Sequence, residues 1–147
     1  TNGVLESGIR WAEVRNDGSG WVLHQAGTYA PSGGPEVVHR FMPSIAQDKE
    51  GNIALGYTAS GLADYPAVRY VTRENGDPLG MMTGGEVSCF EGAGSQVASF
   101  NRWGDYSSMS VDPQDGCTFW YTNEYYEEDA AFDFKTRICS FKICDDD

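Results

Sequence analysis

The densest cluster of polar and aromatic residues in the chain is Arg102-Trp103-Gly104-Asp105-Tyr106-Ser107. These residue types could recognise a sugar or a carboxylate. Trp103 or Tyr106 would stack on an apolar ligand face, while Arg102 and Asp105 would donate and accept charge-assisted hydrogen bonds. The same residues admit a structural reading, in which an Arg102–Asp105 pair rigidifies a strand entry and Trp103 fills the core between sheets. Arg40, in His39-Arg40-Phe41-Met42-Pro43, is a further candidate. The ligand-binding candidates are therefore Arg40, Arg102, Trp103, Asp105 and Tyr106. A catalytic set is not legible: no GxSxG motif occurs, and neither His24 nor His39 stands in a recognisable acid–nucleophile pattern. Glu124, Glu127, Glu128, Asp129 and Asp133 crowd one segment, and Asp145-Asp146-Asp147 end the chain. Ca²⁺ prefers oxygen ligands of this kind, but the spacing of an EF-hand loop is missing. A solvated acidic loop and tail is the favoured reading, and no cofactor or metal is expected.

The elements that must position these residues show an internal repeat. Ser44 to Thr58 (SIAQDKEGNIALGYT) aligns without a gap on Ser108 to Thr122 (SMSVDPQDGCTFWYT), at a shift of 64 residues. Ser44/Ser108, Asp48/Asp112, Tyr57/Tyr121 and Thr58/Thr122 are identical, and a basic–aromatic pair stands before each copy. In each, an alternating run ends at Asp, a polar turn containing Gly51-Asn52 or Asp115-Gly116 follows, and a second run resumes. That spacing predicts a β-hairpin, because Asp bonds the backbone beyond it and Gly accepts positive φ.

A third strand is expected at Ala67–Val71 and at Thr136–Cys139, with a counterpart at Gly8–Ala12. A fourth is expected at Trp21–Gln25 and at Leu79–Thr83. The fold class is therefore all-β: antiparallel four-stranded blades of a β-propeller, about two and a half blades, forming an incomplete ring. The expected units are a half blade over 1–35, a full blade over 36–88 and a last blade over 98–147. A β-sandwich with accidentally similar hairpins is the competing architecture.

Paired residues of an antiparallel hairpin share a constant sum of residue numbers. On the repeat, Cys117 and Cys139 take the places of Ile53 and Val71, with both connections centred on turn-like sequence. This predicts a Cys117–Cys139 disulfide across adjacent strands and leaves Cys89 to bond Cys144. Four cysteines without CxxC spacing, and only two histidines, disfavour zinc. Two disulfides imply an oxidising compartment, so the chain is expected to be secreted, extracellular or periplasmic.

Charge narrows the partners. With 22 acids against 10 bases the formal charge is −12, opposite to what nucleic-acid phosphates require. No apolar run approaches the ~20 residues that span a bilayer. The chain opens at Thr1, and the expectation is a mature, trimmed or excised segment.

Asn101 to Tyr125 and His39 to Thr58 resemble the sialidase-like (neuraminidase, BNR-type) β-propellers of secreted bacterial proteins. Ser110, Asp112, Gly116, Thr118 and Trp120 echo the Asp-box of that family with stretched spacing, and the first copy keeps only Asp48 and Gly51. The resemblance implies a propeller blade whose first strand lines a central channel. In a true sialidase it would also imply three carboxylate-binding arginines, a Tyr/Glu nucleophile pair and an Asp acid/base. Arg10, Arg69 and Arg137 recur once per unit, where the favoured role is bridging blades. The leading expectation is a non-catalytic extracellular module for assembly, adhesion or glycan binding. Further propeller blades from another chain, or from a copy of itself, would complete it. The alternatives are part of a sialidase-type glycoside hydrolase, or a structural subunit of a surface layer or filament.

Overall fold

The computed structural model describes residues 5–31, 36–99 and 102–144. The regular structure among them is nine β-strands in three antiparallel sheets. The first sheet is the hairpin β1 (Ile9–Asn16) and β2 (Trp21–Tyr29). The second is a four-stranded meander of β3 (Val38–Gln47), β4 (Ile53–Gly61), β5 (Ala67–Arg73) and β6 (Val87–Phe90). The third is β7 (Ser108–Val111), β8 (Thr118–Tyr125) and β9 (Lys135–Lys142). Among the described residues, no helix is long and apolar enough to cross a membrane.

The middle sheet is packed on both faces, and the period-2 alternation of β4 shows how. Its odd residues Ile53, Leu55, Tyr57 and Ala59 join Ile9 and Trp11 of the first sheet, with Tyr29 and Met82 at the margin. Its even residues Ala54, Gly56 and Thr58 face the third sheet, against Met109, Phe119 and Tyr121. Small side chains on that second face leave room for large ones opposite. A Cβ on Gly56 would lie 2.4 Å from the Tyr121 ring. Asn123 Nδ2 donates to Thr58 Oγ1 at 3.0 Å and to the Tyr121 hydroxyl at 2.8 Å, which satisfies the polar atoms buried there. Stacked rings of Tyr70 and Phe141, 3.8 Å apart, extend the same layer. A fully buried Leu or Val contributes about 1.5–3 kcal/mol, so these two layers supply most of the stabilisation.

Both repeated hairpins form, but they are not equal. Asp48 closes the first turn by accepting from Glu50 N and Asn52 N at 2.9 and 2.8 Å. In the second, Asp112 accepts from Gln114 N and from Trp120 Nε1, while Asp115 accepts from Cys117 N and Thr118 N. Asp48 N donates to Asn52 O, whereas Asp112 N reaches across to Thr118 O, so the second connection is longer by two residues. Ala46 pairs with Ala54, but Ser110 pairs with Trp120 rather than with Thr118. The inserted Met42-Pro43 is a β-bulge: pairing breaks between Phe41 and Ser44, and Met42 takes a positive φ of 50°. The bulge is also a docking point, since Ser107 Oγ donates to Met42 O and Met109 N to Ser44 Oγ.

The registers of β4–β5 and β8–β9 correct the expected disulfides. Cys139 pairs with Tyr121, not with Cys117, and in the middle sheet Val71 pairs with Leu55 rather than with Ile53. The bonds are Cys89–Cys139 and Cys117–Cys144. The first joins β6 to β9 across two sheets, and the second staples the ends of β8 and β9 within one. Closing loops of 50 and 27 residues removes denatured-state entropy worth roughly 4 kcal/mol apiece. Such bonds persist in an oxidising environment.

The fourth strand of the middle sheet is also displaced from its expected place. Leu79–Thr83 is irregular, and β6 forms at Val87–Phe90. Gly80, with φ of 79°, turns the chain there, and its N–H donates to Gln25 Oε1 of β2. The segment serves contact with the first sheet instead of pairing with β5.

Candidate functional site

The candidate residues fall into two environments. Arg40 is buried, with 6% of its surface exposed, inside an ionic network on the face toward the first sheet. Its Nε donates to Glu86 Oε2 at 2.7 Å, and its Nη1 donates to Glu6 Oε1 and to Val38 O. The guanidinium also lies 5.6 Å from the Tyr29 ring centre. Glu86 is shared: Tyr57 OH donates to it at 2.8 Å and Arg69 Nη1 at 3.0 Å. Arg69 in turn clamps Glu91 with two bonds of 2.9 Å. Burial pushes the Glu86 carboxyl up, but the bonds from Arg40, Tyr57 and Arg69 outweigh it and hold the group below its ordinary range.

Two arginines, a tyrosine and a glutamate are types that sialidase chemistry uses, yet Tyr57 is fully buried. Burial, with the neighbouring Tyr29 and Glu86, drives its hydroxyl far above the ordinary value, away from a nucleophilic phenolate. The network ties the sheets together. Arg10 and Arg137, the other repeated arginines, differ from Arg69: Arg10 bonds Thr28 within its own hairpin, and Arg137 lies 5.0 Å from the ring centre of Phe90 in the middle sheet.

The second environment is at the end of the stack where β3, β5, β7 and β9 begin. Arg102 bonds Asp105 on the surface, and both side chains are mostly exposed. Trp103 is half-buried, edge-on to Phe41 with centroids 6.2 Å apart and 5.4 Å from the Tyr126 ring. Its Nε1–H is buried without an acceptor among the described residues, as is that of Trp11 in the core. Both parts of the structural reading of this cluster are seen: the ion pair forms, and the indole packs between sheets.

Arg102 and Trp103 line a cleft of about 610 Å³ whose other walls include Asp64, Tyr65, Ser95 and Gln96. The β4–β5 loop supplies Asp64 and Tyr65, held by Gly61 N and Ser60 Oγ donating to Asp64 O. The strand-free connection after β6 supplies Ser95 and Gln96. It is tied to the β8–β9 loop by Val97 N to Ala130 O, Ala130 N to Ser95 O, and Ser95 N to Asp129 Oδ1. Gly94 makes this approach possible, since a Cβ there would lie 2.1 Å from the backbone of Glu128. Tyr106 is 92% exposed and is not among the residues lining this cleft.

The sequence did not point to Asp64, Tyr65 or Gln96, because two separate connections, β4–β5 and β6–β7, bring them together. Glu124 was read only as one of a run of acids. Burial and the nearby Asp105 raise its pKa against a lowering bond from the Gly104 backbone. Of the rest of that run, three are engaged locally: Asp129 by Ser95, Asp133 by Lys135, and Glu127 by the Tyr125 hydroxyl. Among the described residues, the one grouping with metal-ligand spacing is Glu50 with Cys117 and Cys144. Those two sulfurs are joined in a disulfide and are not thiolate ligands. No family model, no curated protein and no solved structure matches the chain.

Proposed function

We propose that the protein is a non-catalytic extracellular module that binds a glycan in the Trp103 cleft. The observation that carries this reading is the cleft's composition. An indole face and the half-exposed Tyr65 ring stand beside Asp64, Gln96, Ser95 and the Arg102–Asp105 pair. Rings cover the apolar face of a sugar, and fixed donors and acceptors read its hydroxyls.

The stack of sheets belongs to a sialidase-like propeller in this reading, continued by further sheets from another chain or a copy of itself. Large apolar side chains stand exposed at both ends of the stack. Trp21 and Leu23 of β2 are 73% and 64% exposed, and Ile138 of β9 is 65% exposed. Binding of the chain and of Trp103→Ala to an immobilised glycan panel tests the reading. Retention that is lost in the variant, without release of sugar, supports it. Release of sugar would favour the sialidase-type hydrolase instead, and retention unchanged in the variant would place the site elsewhere.

A further inference from the structure

The cleft is one part of a longer groove. A second cleft of about 960 Å³ shares Phe41, Ser60, Gly61 and Leu62 with it, and adds Ser7, Glu36 and His39 on the side of the first sheet. A third, of about 230 Å³, shares Gln96 and Arg102 and adds Asp105, Glu124, Phe132 and Phe134 on the side of the third sheet. The three run in series across the same end of all three sheets. One sugar ring fills only part of such a groove, so a chain of several sugars fits it better.

The charges along the groove narrow the chemistry of that chain. Among the described lining residues, Arg102 is the single guanidinium and there is no ammonium, against the carboxylates Glu36, Asp64, Asp105 and Glu124. Arg102 is itself held by Asp105. The nearby Arg69 is held by Glu86, Glu91 and Asp64, and Arg40 by Glu86 and Glu6. A ligand carboxylate would have to displace one of these acids and would meet like charge on arrival. A protonated amine meets the opposite situation at the third cleft. There Arg102 holds Asp105, but no cation among the described residues pairs with Glu124, and the Gly104 backbone is so close to it that a Cβ would stand 3.0 Å from its carboxyl carbon.

We propose that the groove takes an oligosaccharide that lacks carboxylates and bears protonated amines, with one amine-bearing sugar seated against Glu124. This rests on the glycan-binding reading above and specifies the class of glycan.

Isothermal titration of the whole chain with three hexamers tests it: glucosamine, N-acetylglucosamine and galacturonate. The glucosamine hexamer should bind at least about tenfold more tightly than the galacturonate hexamer. The isosteric Glu124→Gln should weaken glucosamine binding several-fold and narrow its preference over N-acetylglucosamine. Galacturonate binding as tightly as glucosamine, or an undiminished preference for glucosamine in Glu124→Gln, overturns the inference while sugar binding through Trp103 still stands. If none of the three hexamers binds, or if Trp103→Ala binds them as the parent does, the glycan-binding reading falls and this inference with it.

Discussion

Two groups of arginine, carboxylate and aromatic ring sit about the same end of this stack of sheets, and they behave oppositely. Around Glu86, Arg40 and Arg69 are enclosed between the first and middle sheets, with every named polar atom matched to another. Around Asp105, Arg102 lies on the surface and Trp103 keeps a buried N–H unmatched. The residue types are nearly identical, so what separates a brace from a binding surface is placement. Arg40 projects from a strand inside a sheet packed on both faces. Arg102 lies in the connection before β7, beyond the ladder.

The difference can be broken most forcefully at Arg40. Arg40→Ala leaves the partly buried Glu86 with Arg69 as its remaining cation, and losing the charged hydrogen bond should cost about 1.5–3 kcal/mol. Urea unfolding reads this directly, and a loss below about 1 kcal/mol would mean that the network is not a brace. Acid separates the two groups next, with opposite signs. Glu86 and Glu91 are held below their ordinary values by their arginine and tyrosine partners, although burial opposes it. Their stabilisation is complete above the unfolded carboxylate pKa, about 4.3, and is lost as pH falls through the lowered folded values. Glu124 is raised by burial and Asp105, so its ionisation works against the folded state above the unfolded pKa and is relieved as pH falls. Unfolding free energies measured between pH 2 and pH 7 should therefore show less acid sensitivity in Glu86→Gln. Glu124→Gln should be more stable than the parent at neutral pH. Like slopes for both variants would erase the distinction.

Smaller effects sharpen it. Tyr57→Phe removes one hydrogen bond to Glu86 and should cost about 1–2 kcal/mol in thermal unfolding. Arg102→Ala should change stability by no more than about 0.5 kcal/mol, as exposed ion pairs do. A stability loss in Arg102→Ala as large as that in Arg40→Ala would contradict the assignment of roles.

The paired strands were legible where local chemistry sets them. Asp48 and Asp112 end strands because their carboxylates cap the following turn, and the alternation of Ile53, Leu55 and Tyr57 marks a packed face. Register was not legible, since it depends on how many residues the turn consumes. Asp115 draws Cys117 and Thr118 into the second turn, which slides β8 against β7, and the β8–β9 pairing sets Tyr121 rather than Cys117 opposite Cys139. The binding candidates were legible as a dense cluster at Arg102 to Tyr106, but burial divides them from Arg40. Glu86 gave no signal, because its partners Arg40, Tyr57 and Arg69 lie on three different strands that only the sheet brings together.

The central claim is that Arg102 and Trp103 meet ligand while Arg40 and Arg69 brace the fold. Side-chain ¹⁵N spectra of the whole chain, recorded during titration with the glucosamine hexamer, test it most directly. The account predicts shifts at Trp103 Nε1 and Arg102 Nε, with the Nε signals of Arg40 and Arg69 unmoved. Saturable shifts at Arg40 and Arg69 with none at Trp103 would contradict it.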